Sequence, residues 1–528
     1  MNALTTHVGR ISPIQTTDAA KSRWASLPFG LLAVLIFAAI VRISSARYSL
    51  WSDELASVFF AGQPLSNLWS GWMIRETNPP LYYSMLQGWI GIVGLGAFKL
   101  RLFSVVAGLL AIAVTYVGIG QNYSRRAGLI AALMLALSAQ QLNFSLMVRG
   151  YTFLYLAISI SFFGLLNIAR SQDDPDRKLW LSWAAYVGGA IAGVYLHTTA
   201  CIWPIAATAS LMLVDRRFRP VVGSRWFHLI LADMLIVTGA SWWLYITYLQ
   251  LRSPNGNISW IEPTGLRQIA SSFFSTVLLS RSTTGWAKII PLTVAGFALL
   301  CVIRTSNQVT TRLTLMCPII AVLLFTLSSL KQPVIMDRTI LWVSIFPLTL
   351  AAAGLDTIRN TRVFVIAAVA VMLLLGLNLV KNTHNLQIED WANVVRTVSR
   401  DPRAVLVLDG ESMSVSAHMA CAVELGVNRC PFSLITIQRG DDPFDPWAWG
   451  YAAKAGVSRG GRLALPANAN IYLFRRKSHD VLATLHRIDL LKSVATTRPS
   501  FLGPYPAPLV DSLIARASVE NGLLRIEP

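Results

Sequence analysis

Apolar runs of membrane-spanning length recur through the first 380 residues, separated by short polar stretches. A transmembrane helix needs roughly 20 mostly apolar residues. The pattern predicts eleven, at 25–43, 102–120, 127–146, 151–169, 180–197, 199–214, 226–249, 286–303, 313–330, 339–355 and 363–380. The 199–214 run is short, and Pro204 interrupts it. A twelfth run, 79–97, opens on Asn78-Pro79-Pro80, carries four glycines and leads directly into Lys99 and Arg101.

Loop charge decides how that twelfth run is read. With the N-terminus inside and 79–97 lying on or dipping into the membrane, the loops 121–126, 170–178, 215–225, 304–312 and 356–362 all fall inside. These carry Arg125 and Arg126, Arg170 with Arg177 and Lys178, Arg216, Arg217, Arg219 and Arg225, Arg304 and Arg312, and Arg359 and Arg362. A spanning 79–97 would move all of them outside, against the positive-inside rule. Residues 1–24 then form a cytoplasmic tail. They are not a cleavable signal, since no small-residue cleavage site follows the first apolar run. Outward lie 44–101, the turns at 147–150 and 197–198, the 250–285 and 331–338 loops, and everything after 381.

After residue 381 the pattern changes. Ala404 to Leu408 and Ile471 to Phe474 read as strands bounded by turn signals. Ile388 to Val398 reads as a short helix. The expected organisation is a cytoplasmic tail (1–24), a membrane domain (25–380) and an outward soluble α/β domain (381–528).

Composition agrees with a membrane protein. Of 528 residues, 54% are hydrophobic and 13% charged, against about 25% charged in average soluble chains. That excludes an ordinary soluble protein and a disordered chain. The net charge is +19, and residues 1–380 hold 28 basic and 12 acidic residues. The basic residues are scattered singly between apolar runs, which fits topology and gives no footprint for nucleic acid. No CxxC or His-rich spacing marks a zinc site. Cys201, Cys301 and Cys317 lie in apolar runs. Cys421 and Cys430 lie in the tail, close enough in sequence for a disulfide if that side is oxidising.

The outward acids before 381 are few: Asp53, Glu54, Glu76, Glu262 and Asp337. Asp53-Glu54 follows the first span closely. Its alternatives are a solvated loop pair or a helix cap, with Ser52 or Asp53 opening a helix over 53–61. Asn78-Pro79-Pro80-Leu81-Tyr82-Tyr83 fixes an extended entry to a helix whose free N–H groups favour a polar or anionic ligand. Arg149, Lys331 and Arg338 add three outward cations against the general charge bias. His197 lies on the same side, where helix capping is its ordinary role. A base with several cations beside a bilayer suits transfer from a lipid-linked sugar phosphate. A carboxylate takes the proton of the attacking hydroxyl, and cations stabilise the phosphate as it leaves.

The order Trp51-Ser52-Asp53-Glu54, Asn78-Pro79-Pro80-Leu81-Tyr82-Tyr83 and Leu100-Arg101-Leu102-Phe103-Ser104 resembles the GT-C glycosyltransferases. The nearest branch is the family 39 type, which includes protein O-mannosyltransferases and the aminoarabinose lipid A transferase. Arg149-Gly150-Tyr151, Asp337-Arg338 and Glu389-Asp390-Trp391 are also similar to that branch. The resemblance implies about eleven transmembrane helices plus a surface or re-entrant helix. It implies Asp53, with Glu54 beside it, as catalytic carboxylates, Asp53 being the base. Arg338, Lys331 and Arg149 would bind donor phosphate. Asn78, Tyr82, Tyr83 and Tyr151 would contact substrate. Asn78 departs from the His of many members and replaces a titratable group with an amide.

The implied partners are a polyprenyl-phosphate sugar donor, a lipid, glycan or protein acceptor, and membrane lipids, with no nucleic acid. No cofactor is implied, although a divalent metal stays open. The expected location is a bacterial inner membrane with site and tail periplasmic. The competing reading is a polytopic transporter or flippase of lipid-linked or envelope glycans. Against it, the sequence has no inverted repeat and no paired broken helices.

Overall fold

The computed structural model describes residues 29–171, 179–252, 265–280, 285–330, 334–383, 386, 388–409 and 412–437, with short tail strands beyond. The N-terminal tail, Glu262, Lys331 and much of the region after 437 lie outside the described residues.

Helices occupy all eleven expected span positions, but they are not alike. Among the described residues, eight are long and apolar enough to cross a membrane. A further pair, Arg125–Leu137 and Ala139–Ser145, meets at an angle of 66° and makes a ninth crossing if counted as one span. Ser138 sits at the break, and its hydroxyl accepts from the Gln141 N–H at 3.3 Å to start the second piece. The other two positions hold shorter apolar helices, Phe29–Ser44 and Thr198–Val214. The second of these opens with a tight turn over Thr198–Cys201 just before Pro204. Thirteen residues, Leu81–Val93, form the helix of the ambiguous run. At 1.5 Å per residue it reaches about 20 Å, short of the roughly 30 Å hydrocarbon core. Gly94 and Gly96, at φ 77° and 145°, end it in backbone that side-chain-bearing residues rarely adopt. The reading of 79–97 as a surface or re-entrant helix therefore fits.

The span over Asp337–Asp356 is almost wholly buried and forms the centre of the bundle. It packs against Ile289–Thr305, Val309–Ser329 and Arg125–Leu137. Tyr151–Arg170 lies along Leu179–Leu196. A Cβ on Gly164 would stand 2.6 Å from the Ser182 carbonyl, and one on Gly189 2.6 Å from that of Ala157. Only glycine permits that approach, as is usual where helices associate in lipid.

The tail begins with a helix, Trp391–Val398, followed by β1 (Ala404–Asp409) and a second helix, Ser412–Leu425. β2 (Ser433–Ile437), β3 (Ser458–Gly460), β4 (Asn470–Phe474) and β5 (Ser500–Leu502) complete a parallel sheet in the order β3-β2-β1-β4-β5. Central β1 pairs Val405 with Ser433 on one side and Ala404 with Asn470 on the other. The Ser412–Leu425 helix packs against both Trp391–Val398 and the first-loop helix Ser52–Ala61. Tail and first loop therefore share one side of the membrane.

Gly426, at φ 70°, turns the chain back after the Ser412–Leu425 helix, and Cys421 and Cys430 are disulfide-bonded. In native, unreduced protein both cysteines are expected to resist a thiol reagent until a reductant is added. Replacing the pair by serine is expected to lower tail stability by about 2–3 kcal/mol, the loop-closure value for so short a ring. Free alkylation of both without reductant would contradict the bond.

Candidate active site

The first loop is anchored by a buried ion pair. Glu54 and Arg101 are both wholly buried. Arg101 Nη1 donates to Glu54 Oε1 at 2.7 Å and Nη2 to Oε2 at 2.9 Å. The Val148 N–H adds a bond to Oε1 at 2.8 Å and the Trp51 N–H one to Oε2 at 3.1 Å. Arg101 also donates to the Leu146 carbonyl and, at 2.8 Å, to that of Ser49. Its guanidinium stacks 3.9 Å from the centre of the Tyr48 ring. Burial pushes the Glu54 carboxyl up, against the pull of Arg101 and the two N–H groups.

That anchor fixes Asp53, the preceding residue. Asp53 Oδ2 lies 3.4 Å from Arg338 Nη1, and both side chains are partly open to solvent. The Asp53 carbonyl accepts from Arg149 Nη1 at 3.1 Å, and the same nitrogen reaches the Ser57 hydroxyl at 3.2 Å. Beside this group opens a narrow cleft. Ser57, Asn78, Tyr82, Tyr83, Arg149 and Tyr151 line it, with Pro79, Gly150, Leu196 and His197 completing the wall.

Asn78 is positioned by Glu76, whose Oε1 accepts from the Asn78 N–H at 2.9 Å, from its side-chain amide, and from the Tyr83 hydroxyl at 3.1 Å. Burial raises the Glu76 carboxyl above its ordinary value, while Arg149 and these donors oppose the rise. His197 Nδ1 accepts from the Thr199 N–H at 3.3 Å and lies 2.9 Å from the Thr199 hydroxyl. Burial, helped by Arg338 and Arg149, pushes the His197 ring down to about 3. It is therefore neutral near pH 7. With Nδ1 accepting from the amide, its proton sits on Nε2, which makes it a neutral donor in the cleft wall.

Among known proteins, a family model described as dolichyl-phosphate-mannose-protein mannosyltransferase matches residues 77–243. No curated protein matches the chain in sequence. ArnT from Cupriavidus metallidurans, solved bound to undecaprenyl phosphate, superposes with a TM-score of 0.56 at 14% identity, over 82% of this chain and 90% of that one. Its apo structure gives the same score and identity over 84% and 90%. The fold is that of the GT-C glycosyltransferases.

Within this GT-C fold, most of the residues singled out from sequence converge. Asp53 and Arg338 touch, Arg149 binds the Asp53 backbone, and Asn78, Tyr82, Tyr83 and Tyr151 line one cleft. Glu54 does not join them. All four of its lone-pair positions are taken by Arg101, Val148 and Trp51, leaving none for a substrate hydroxyl. Lys331 falls outside the described residues. His197 caps the Thr198–Cys201 turn, the ordinary role expected of it, and also lines the cleft. Glu76, to which the sequence assigns no role, is the residue that braces Asn78. Glu76 precedes Asn78-Pro79-Pro80 by two residues, a spacing that was visible but carried no specific signal. Among the described residues, no three His, Cys, Asp or Glu side chains cluster as a metal site.

Removing one partner of a buried ion pair strands the other charge, at a cost of about 3–5 kcal/mol. Glu54→Gln and Arg101→Met are each expected to lower thermal stability in detergent by an amount of that order. The double variant is expected to lose less than the two single losses added together, because neither charge is then left alone. Strictly additive losses would show that the pair is not coupled.

Proposed function

We propose that this protein transfers a sugar from a polyprenyl-phosphate donor to an acceptor hydroxyl at the outer face of a membrane, in the bacterial case the periplasmic face of the inner membrane. The observation that carries the reading is the contact between Asp53 and Arg338, linked through Arg149 to an aromatic cleft. It sets a carboxylate base beside a cation suited to a phosphate leaving group. The undecaprenyl phosphate of the similarly folded ArnT supports a lipid-linked donor.

In this reading the acceptor oxygen attacks the anomeric carbon and Asp53 takes its proton. The bond between that carbon and the phosphate oxygen breaks with its electron pair. Polyprenyl phosphate leaves with increased negative charge, which Arg338 stabilises, aided by Arg149 and Lys331. Tyr82, Tyr83, Tyr151 and Asn78 orient the sugar ring, and neutral His197 supplies a hydrogen-bond donor without adding charge. Glu54 holds the loop that carries the base and touches no substrate.

The test is transfer by purified protein from labelled polyprenyl-phosphate sugars to total envelope acceptors, with donor affinity measured alongside. Asp53→Asn is expected to slow single-turnover transfer by roughly 10²–10⁴-fold while donor binding largely survives. Arg338→Ala is expected to weaken donor binding and slow transfer together. Lysine at 338 is expected to restore part of the loss, and glutamine none, because charge counts as well as geometry. Near-normal transfer by a folded, donor-binding Asp53→Asn variant would remove Asp53 from the mechanism.

A further inference from the structure

We infer that Glu389, at the start of the tail, is a positioning residue for Asp53. The inference rests on the function proposed above. Glu389 is buried, and its Oε2 accepts from the Ser52 N–H at 2.8 Å, from the Ser52 hydroxyl and from the Trp391 indole N–H at 2.9 Å. Trp391 also lies 3.2 Å from the Ser52 hydroxyl. One residue on, the Ala392 N–H donates to the Ser49 hydroxyl at 2.9 Å. Ser52 opens the ten-residue helix that carries Asp53, so its N–H is among those with no acceptor inside the helix. A carboxylate there satisfies the donor and suits the positive end of the helix.

Asp53 is thus held from both neighbours. Glu54, after it, is fixed by Arg101 from the membrane domain. Ser52, before it, is fixed by Glu389 from a segment 337 positions away. Arg149 binds the carbonyl between them. With Ser52 released, the helix keeps its anchor at Glu54 but can rotate about it. The Asp53 carboxylate then moves relative to the cleft while the groups that bind the donor stay in place. A base displaced by about 1 Å can lose on the order of 10²-fold in rate.

The experiment measures single-turnover transfer and donor affinity for Glu389→Ala, Glu389→Gln, Ser52→Ala and the Ser52→Ala/Glu389→Ala pair, in full-length protein beside Asp53→Asn. Glu389→Ala is expected to transfer roughly 10- to 100-fold more slowly, with donor affinity within about twofold of normal. Glu389→Gln keeps an oxygen for the Ser52 N–H and should recover part of the rate. Adding Ser52→Ala to Glu389→Ala should cost little more, since the two share one contact. Arg396→Ala breaks the exposed tail pair with Glu424 and should transfer normally. Normal transfer by Glu389→Ala beside an inactive Asp53→Asn overturns the inference, as does a loss confined to donor affinity. If Glu389→Ala fails to fold, normal transfer by both Ser52→Ala and Glu389→Gln overturns it. A wild type that uses no polyprenyl-phosphate sugar, or an active Asp53→Asn, instead overturns the proposed function and this inference with it.

Discussion

The burial of the Glu54–Arg101 pair is the constraint on which the face carrying the first loop depends. Each of these charges would be expensive to bury alone, and each satisfies the other with two parallel bonds. The pair joins three segments that are distant in sequence: the first loop, the Ala97–Asn122 span and the turn at 146–148. Such a bond needs all three segments in register. An acid and a base separated by 46 intervening positions thereby determine where a short helix sits on the bundle.

Polar groups around the cleft follow from that registration. Arg149 comes one residue after Val148, whose N–H binds Glu54, so fixing the turn also aims the guanidinium toward Asp53 and Ser57. Gly150 then leaves room for the surface helix: a Cβ there would lie 3.3 Å from that of Tyr82. Tyr82, Tyr83 and Asn78 line the same cleft, at a helix start braced by Glu76. Few of these bonds are strong singly. They act together because most lie out of water, where an unpaired partner is costly.

Much of this was legible in the chain, for identifiable reasons. Apolar runs located a helix at each of the eleven expected positions, eight of them long enough to cross a membrane among the described residues, because hydrocarbon thickness acts on whole segments. β1 and β4 were readable from short branched apolar runs between turn signals. The bend at Ser138 was not, since one serine within an apolar run gives no warning of a 66° turn. The different surroundings of Asp53 and Glu54 were hidden too. Adjacent acids look alike in sequence, and only the three-dimensional partner, Arg101, tells the buried one from the half-open one. The role of Glu389 was equally invisible, as nothing in Glu389-Asp390-Trp391 names Ser52.

The latch between Ser52 and Glu389 also carries an order of events in synthesis. Ser52 leaves the ribosome 337 residues ahead of its acceptor. At typical elongation rates of about 5–20 residues per second, that delay is on the order of twenty to seventy seconds. Every intervening crossing must be threaded before Glu389 can reach the side of the membrane that holds Ser52. The nascent chain therefore holds its acidic loop only half-fastened until the last span is in place, and closure of the latch marks the end of membrane insertion.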